Sequence, residues 1–440
     1  MDNRETGKKI LMAGIEGVLP GRLMDDLVSV QGPVLKIGYR SYNLAELDRI
    51  FVVGAGKASA AMAHYLESKT GSRISGGHVV TKYGHSCRLR HVTVSEAGHP
   101  VPDSGSYEAA REILRIVSEA GDRDLVICLW SGGGSALMSD HPENSSPEEM
   151  AVLNDLLVRC GADIGEINAV RKHLSGIKGG QLAVRIRPAD MVTILLSDVT
   201  GDQPDIIASG PTVPDKSTFG DALNVIHRHQ LADRLPVSLV NYLREGTEGL
   251  RPETPKPGDG IFSGSAVFMA GTNRTALRSA KTEAEKHGFD THIITDSLRG
   301  DTSEAFSYIA GQIEDYRRRD DLKKPVCLLF GGETTVRVEG SGKGGRNQHL
   351  ALYAALKLKD MPGVTLVAAG TDGNDGDTDA AGAVVDSGTV KESLNIGMDP
   401  EAYLRNFDSY NFFRRAGGHI KTGPTLTNVM DLVIILISDN

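Results

Sequence analysis

Seven short runs of β-branched and aliphatic residues punctuate this chain: Ile50–Val53, His78–Thr81, Leu125–Trp130, Val192–Leu196, His292–Thr295, Val326–Phe330 and Val364–Ala369. Longer segments of helical period lie between them, and that alternation predicts an α/β protein. Several runs are apolar at every position, as strands are when both faces of a parallel sheet are covered. After Arg346 the spacing sets Leu350, Tyr353, Ala354 and Leu358 on one stripe, with Lys357 and Lys359 off it. An amphipathic surface helix is expected there.

A chain of 440 residues exceeds the usual size of one domain, so two α/β domains are expected. The passage EGTEGLRPETPKPGDG, residues 245–260, crowds proline, glycine and charge and keeps no apolar period. It reads as the linker between a domain at 1–245 and a second at 258–440. A chain that crosses back between the domains would break this division.

A net charge of −9 disfavours nucleic acid and anionic membrane as partners, because both need a basic field. No apolar run approaches the ~20 residues of a membrane span, and the N-terminus lacks a signal-peptide core, so a cytoplasmic protein is expected. The four cysteines form no C-x-x-C pair. Cys128 and Cys327 sit in apolar runs and read as buried free thiols.

The 51 glycines matter by where they cluster. One group follows Val53 as Gly54-Ala55-Gly56-Lys57 and opens an alanine-rich segment. A helix N-terminus there would offer N–H groups to an anion, and Lys57 would add a positive charge. The phosphate-loop pattern fails at Phe51 and Ala58. The dinucleotide fingerprint ends in Ser59 rather than glycine, and the next strand ends in Lys82 where a ribose-binding acid is expected. A second group, Ser131-Gly132-Gly133-Gly134-Ser135, follows an apolar strand and offers a phosphate nest; close ligand approach explains its three glycines more readily than packing. A third, Gly340 to Arg346, leads into the predicted helix and leaves a cation at its N-terminus, which is unfavourable without an anion nearby. A fourth loop crowds Asp372, Asp375, Asp377 and Asp379, which calls for a cation or full solvation. Ser197-Asp198 ends a further strand, with Asp202 and Asp205 close behind as candidate bases or metal ligands. His99, Arg171, Lys172, His173 and Lys178 lie in polar, glycine-flanked contexts.

In order along nearly the whole chain, these segments resemble the glycerate 2-kinase family, also called the MOFRL family. The matching motifs are GAGKA at 54–58, E-x-GHPxPD at 96–103, SGGGSAL at 131–137, the N-x-V-R-K-H-L-S-x-x-K-G-G segment at 168–180 and SDVxGD at 197–202. GGExTV at 331–336, GKGGRNQ at 342–348, GTDGxDG at 370–376 and TGPTxTNV at 422–429 complete the set. One departure is Asp377, where the family commonly has proline.

The resemblance implies a Rossmann-like, mostly parallel larger domain, a smaller MOFRL-type α/β domain and a site in the cleft between them. It implies ATP-dependent phosphorylation of D-glycerate at the 2-hydroxyl, with Mg²⁺. Lys57, Arg346, Asp198 and Asp202 would be catalytic; Lys57, His99, Arg171, Lys178 and Arg346 would bind substrate. Ser131, Gly132, Gly133, Gly134, Ser135, Glu333, Lys343, Gly344 and Gly345 would bind nucleotide, and Asp198 and Asp372 the metal. The sequence leaves open a glycerate 3-kinase, an NAD(P)-dependent hydroxypyruvate reductase, and a binding module without turnover. It also leaves open a monomer or a homodimer.

Overall fold

The computed structural model describes residues 2–319 and 325–438. They form two compact units: one is Met24–Ala270, the other joins the residues before 24 to those after 270.

The Met24–Ala270 unit opens with an antiparallel meander of β1 (Val28–Gln31), β2 (Val34–Ile37) and β3 (Arg40–Asn43). Its main sheet contains β4 (Ile50–Ala55), β5 (Gly76–Lys82), β6 (Thr93–Ala97), β7 (Leu125–Trp130), β8 (Asp190–Leu196) and β9 (Ala266–Gly271), in the order β6-β5-β4-β7-β8-β9. From β6 to β8 every neighbouring pair is parallel. Strands β4 and β7 are buried at every residue, as their unbroken apolar runs predict. From β4 the chain builds outward through β5 and β6, then returns to lay β7 and β8 on the other side. The order thus reverses between β4 and β7, and that is where open α/β sheets place their ligands. Cys128 lies in β7, and burial pushes its thiol far up, as expected for an inert core residue.

The other unit holds β10 (Asp290–Leu298), β11 (Val326–Gly332), β12 (Val364–Gly370), β13 (Gly382–Asp386), β14 (His419–Ile420) and β15 (Asp431–Ile437). Their order is β10-β11-β15-β12-β13-β14. Only β10 and β11 are parallel; β15 runs antiparallel between β11 and β12, which makes the sheet mixed. All seven expected strands lie inside observed ones, whereas β15, buried at every residue, was not among them.

Three expectations change. The N-terminal residues do not belong with the strands that follow them: the helix Asn3–Glu16 packs on the helix Asn273–Lys286 and on β12 and β15. Asp2 caps it, and Arg4 grips Asp386 through two hydrogen bonds of 2.6 Å. The 245–260 passage is no linker but part of the Met24–Ala270 unit. Glu253 accepts from the Phe219 N–H at 3.1 Å and meets His173 at 2.8 Å, and Thr254 donates to the buried Asp215 at 3.0 Å. Its polar residues complete a buried charge network, which a reading by composition misses. The helix Arg346–Leu358 is also no surface helix: Asn347, Gln348, Ala351, Leu352 and Ala355 are buried beside the expected stripe, under the helices Thr302–Arg318 and Ser409–Ala416. Among the described residues no helix is long and apolar enough to cross a membrane.

Candidate active site

In the Met24–Ala270 unit the parallel register brings the ends of β4, β5, β7 and β8 to one edge of the sheet. The first two glycine-rich turns are zipped together there. The Ser131 N–H donates to Ala55, the Lys57 N–H to Gly132 at 2.9 Å, and the Ala58 N–H to the Ser131 hydroxyl at 3.0 Å. The helix Ser59–Thr70 starts from this turn without a side-chain cap; its first N–H, that of Ser59, donates to Gly56 at 3.2 Å, and half-buried Lys57 lies two residues ahead of it.

His99 lies over the second turn. Gly133 has φ +82°, and a Cβ there would come within 2.8 Å of the His99 ring; one at Gly134 would come within 2.7 Å of Ala208. At these two positions protein neighbours explain the glycine, where close ligand approach was expected. Beyond the turn, hydroxyls form a chain. Ser209 donates to Asn168 at 3.0 Å, so Ser135, 2.7 Å from Ser209, must donate to it. Ala208 and Ser209 hold this arrangement at φ +50° and +59°. Such strain, on the order of 1–3 kcal/mol per residue, clusters at functional sites.

The nearby cations separate by partner. Lys172 is buried against Asp215 at 3.1 Å and Asp205 at 3.4 Å. Lys178 donates to the Met138 carbonyl at 3.0 Å and lies 3.7 Å from Asp140; burial pushes its pKa down against the pull of that carboxylate. Arg171 gives its Nε to Asn154 at 2.7 Å and, among the described residues, pairs with no carboxylate; burial lowers its pKa. Of the three, Arg171 keeps the most donors for a ligand. Asp198 follows the end of β8, and Asp202 sits in the next turn at φ +51°, both partly exposed.

In the other unit Asp431 starts β15 between the last residues of β11 and β12, Gly332 and Gly370. It accepts from Nε and Nη2 of Arg346 at 2.6 and 3.0 Å, and Glu333 meets Nη1 at 2.6 Å. Burial would lower the guanidinium's pKa, but its carboxylate partners, Asp431 foremost, outweigh that and raise it. The anion expected beside Arg346 is therefore supplied by the protein. A third of the side chain, 33%, stays exposed, enough for a ligand to reach it.

The loop before Arg346 is stitched to residues 406–410. The Gly342 N–H donates to Asn406, the Lys343 N–H to the Asp408 carboxylate, and the Tyr410 N–H to Lys343. The Lys343 ammonium lies 5.1 Å from the centre of the Tyr410 ring. The four acids of the acidic loop differ in burial and partner: Asp375 is buried, Asp372 partly so, and Asp377 and Asp379 are exposed. Asp372 accepts from the Asn374 N–H at 3.1 Å. Hydrogen bonds from Lys421 and Tyr410 hold Asp379 down to about 2. Asp375 is buried and binds the helix Arg346–Leu358. Among the described residues no three His, Cys, Asp or Glu side chains gather as a metal cage.

Asn168, Ser209 and Asp431 were not singled out from the sequence. Asp431 had a readable signal, a lone acid opening the apolar run DLVIILI. In the hydroxyl chain Ser135 was a candidate and Asn168 opens a quoted motif, but nothing in the sequence joins them, because they lie far apart in it.

Two family models match the chain: the domain of unknown function DUF4147 over residues 6–244 and the MOFRL family over residues 326–431. A D-glycerate 2-kinase of Thermotoga maritima is 42% identical, over 98% of this chain and 97% of its own. The crystal structure of a glycerate kinase from that organism superposes with a TM-score of 0.84, covering 99% of both chains. A glycerate 2-kinase of Pyrococcus horikoshii is 38% identical over 100% of this chain and 98% of its own. A putative hydroxypyruvate reductase of Agrobacterium vitis is 40% identical over 94% and 93%.

Proposed function

We infer the reaction from the premise that this chain belongs to the glycerate 2-kinase family, with its DUF4147 and MOFRL domains. It is a kinase: it transfers the γ-phosphoryl group of ATP to the 2-hydroxyl of D-glycerate. The observation that carries this is the 42% identity to a D-glycerate 2-kinase over 98% of this chain, a length that takes in both units.

The 2-hydroxyl oxygen attacks the γ-phosphorus, the bond to the ADP oxygen breaks, and the hydroxyl proton passes to a carboxylate. Such transfer needs positioning and charge stabilisation more than covalent help. Asp198 or Asp202, at the end of β8, is the proton acceptor. Lys57 stabilises the migrating phosphoryl group together with the uncapped helix N-terminus behind it. Arg346 binds the same charge through its exposed guanidinium edge, releasing Glu333 as it does so. Arg171 and His99 hold the glycerate carboxylate, and Lys178 supports them by fixing Met138 and Asp140. The backbone of Ser131–Ser135 and of Lys343–Gly345, with Glu333, receives the nucleotide. The residues suit Mg²⁺ bound mainly by phosphate oxygens with one carboxylate, Asp198 or Asp372, rather than by a protein cage. The ion would neutralise phosphate charge.

The reductase reading has less to stand on. Strand β5 ends in Lys82, where a dinucleotide site needs an acid for the ribose. A coupled assay separates the two. ATP should be consumed with D-glycerate, and NAD(P)H should not be oxidised with hydroxypyruvate. Lys57→Ala and Arg346→Ala should each lower kcat by about 10²- to 10³-fold with the protein still folded, Arg346→Ala at a lower melting temperature because it strands buried Asp431. Reduction of hydroxypyruvate without ATP consumption would overturn the proposal.

A further inference from the structure

The helix Arg346–Leu358 begins at Gly345, which has the extended backbone of an N-cap and no side chain to cap with. Asp375, from the loop after β12, does that work. Its Oδ1 accepts the Asn347 N–H at 3.0 Å, and its Oδ2 accepts the Gln348 N–H at 2.8 Å. These are the second and third helical residues, the ones a capping side chain serves. The side-chain amides of the same residues add bonds at 3.3 and 3.0 Å. A Cβ at residue 345 would overlap the Asp375 carboxyl, so glycine there admits it. Asp375 is 2% exposed, the most buried acid of its loop.

A local serine or asparagine at residue 345 would cap this helix without burying a charge. Burial pushes Asp375 up to about 6, against the hydrogen bonds from Gln348 and Asn347 and with the help of nearby Asp431. A buried charge kept at such a cost points to a role beyond capping. The first helical residue, lying between Gly345 and the two N–H groups that Asp375 holds, is Arg346. Glu333 and Asp431 fix its guanidinium; Asp375 fixes the backbone from which it springs. An amide cannot replace the carboxylate: it offers one accepting oxygen and turns an NH₂ toward the other pair of donors.

We propose that Asp375 is a positioning residue for Arg346, clamping the first helical turn so that the guanidinium is held where the phosphoryl group passes. This rests on the reading of Arg346 as a transfer residue. The test is a double-mutant cycle on the full chain, with kcat, KM and melting temperature measured for each variant. Asp375→Asn should lower kcat by about 10-fold or more, as small misplacements of catalytic groups do. KM for D-glycerate should stay within about 2-fold. In an Arg346→Ala background the same substitution should change kcat by less than about 2-fold, since its target is gone. Gln348→Met leaves both backbone bonds and removes only the side-chain amide's support of Asp375; it should show a smaller loss of kcat, again abolished by Arg346→Ala, and serves if Asp375→Asn does not fold. Equal fold-losses in both backgrounds, or near-normal kcat in the clamp variants, would overturn the positioning role alone. Near-normal kcat in Arg346→Ala by itself would overturn the reading of Arg346 and the proposal with it.

Discussion

Arg346 and Asp375 show how much of this chemistry a single residue carries and how much depends on its partners. Sequence alone marks Arg346 as a cation at a helix N-terminus that needs an anion; it cannot show that Glu333 and Asp431 supply one. Asp375 reads as one acid among four, and only the fold reveals it as buried. Its titration gives a test of sign. The folded state raises its pKa from 3.8 to about 6, so the folded protein holds this proton more tightly than the unfolded chain. The stability this contributes is complete below pH ~3.8 and is lost as the pH rises through ~6, a difference on the order of 3 kcal/mol. Asp375→Asn cannot lose it. The melting temperature of that variant, minus that of the unaltered protein, should therefore climb between pH 4 and pH 7. A flat or falling difference would contradict the buried, proton-binding carboxylate.

Elements were the most legible level. Each of the seven expected strands appears, because an apolar run between turn signals fixes a buried strand locally. What the runs do not encode is pairing: β15 is as apolar as its neighbours, yet its antiparallel place between β11 and β12 depends on strands about 60 to 110 residues away in sequence. The helix Asn3–Glu16 is the same case. Its sequence is that of an ordinary amphipathic helix, and only the structure shows it on the sheet of the discontinuous unit. Gly14 sits where a Cβ would come within 2.9 Å of Leu432 in β15. Gly14→Leu should therefore cost that unit about 1–3 kcal/mol through overpacking. Hydrogen exchange checks this: amides of β12, β15 and the helix Asn273–Lys286 should lose protection, while those of β4, β5 and β7 keep theirs. Loss of protection in the β4–β7 strands instead would contradict the assignment of the helix.

At the scale of the whole molecule, the two-unit α/β plan and the family were readable from motifs in order along the chain, while the division was not. Proline, glycine and charge at 245–260 look like a linker by composition, but Glu253 and Thr254 are partners to buried His173 and Asp215. In the sheet of the Met24–Ala270 unit, the turn after β4 and the turn after β7 flank the point where strand order reverses. In the discontinuous unit, Arg346, Glu333 and Asp431 gather at the ends of β11 and β12. The proposed reaction is one transfer, from ATP to a secondary hydroxyl. The product tests it most directly. Phosphorus NMR of the compound formed from D-glycerate and ATP should show one ester signal split into a doublet by the single proton on the 2-carbon. A triplet from the two protons of the 3-carbon, or no phosphate ester at all, would contradict it.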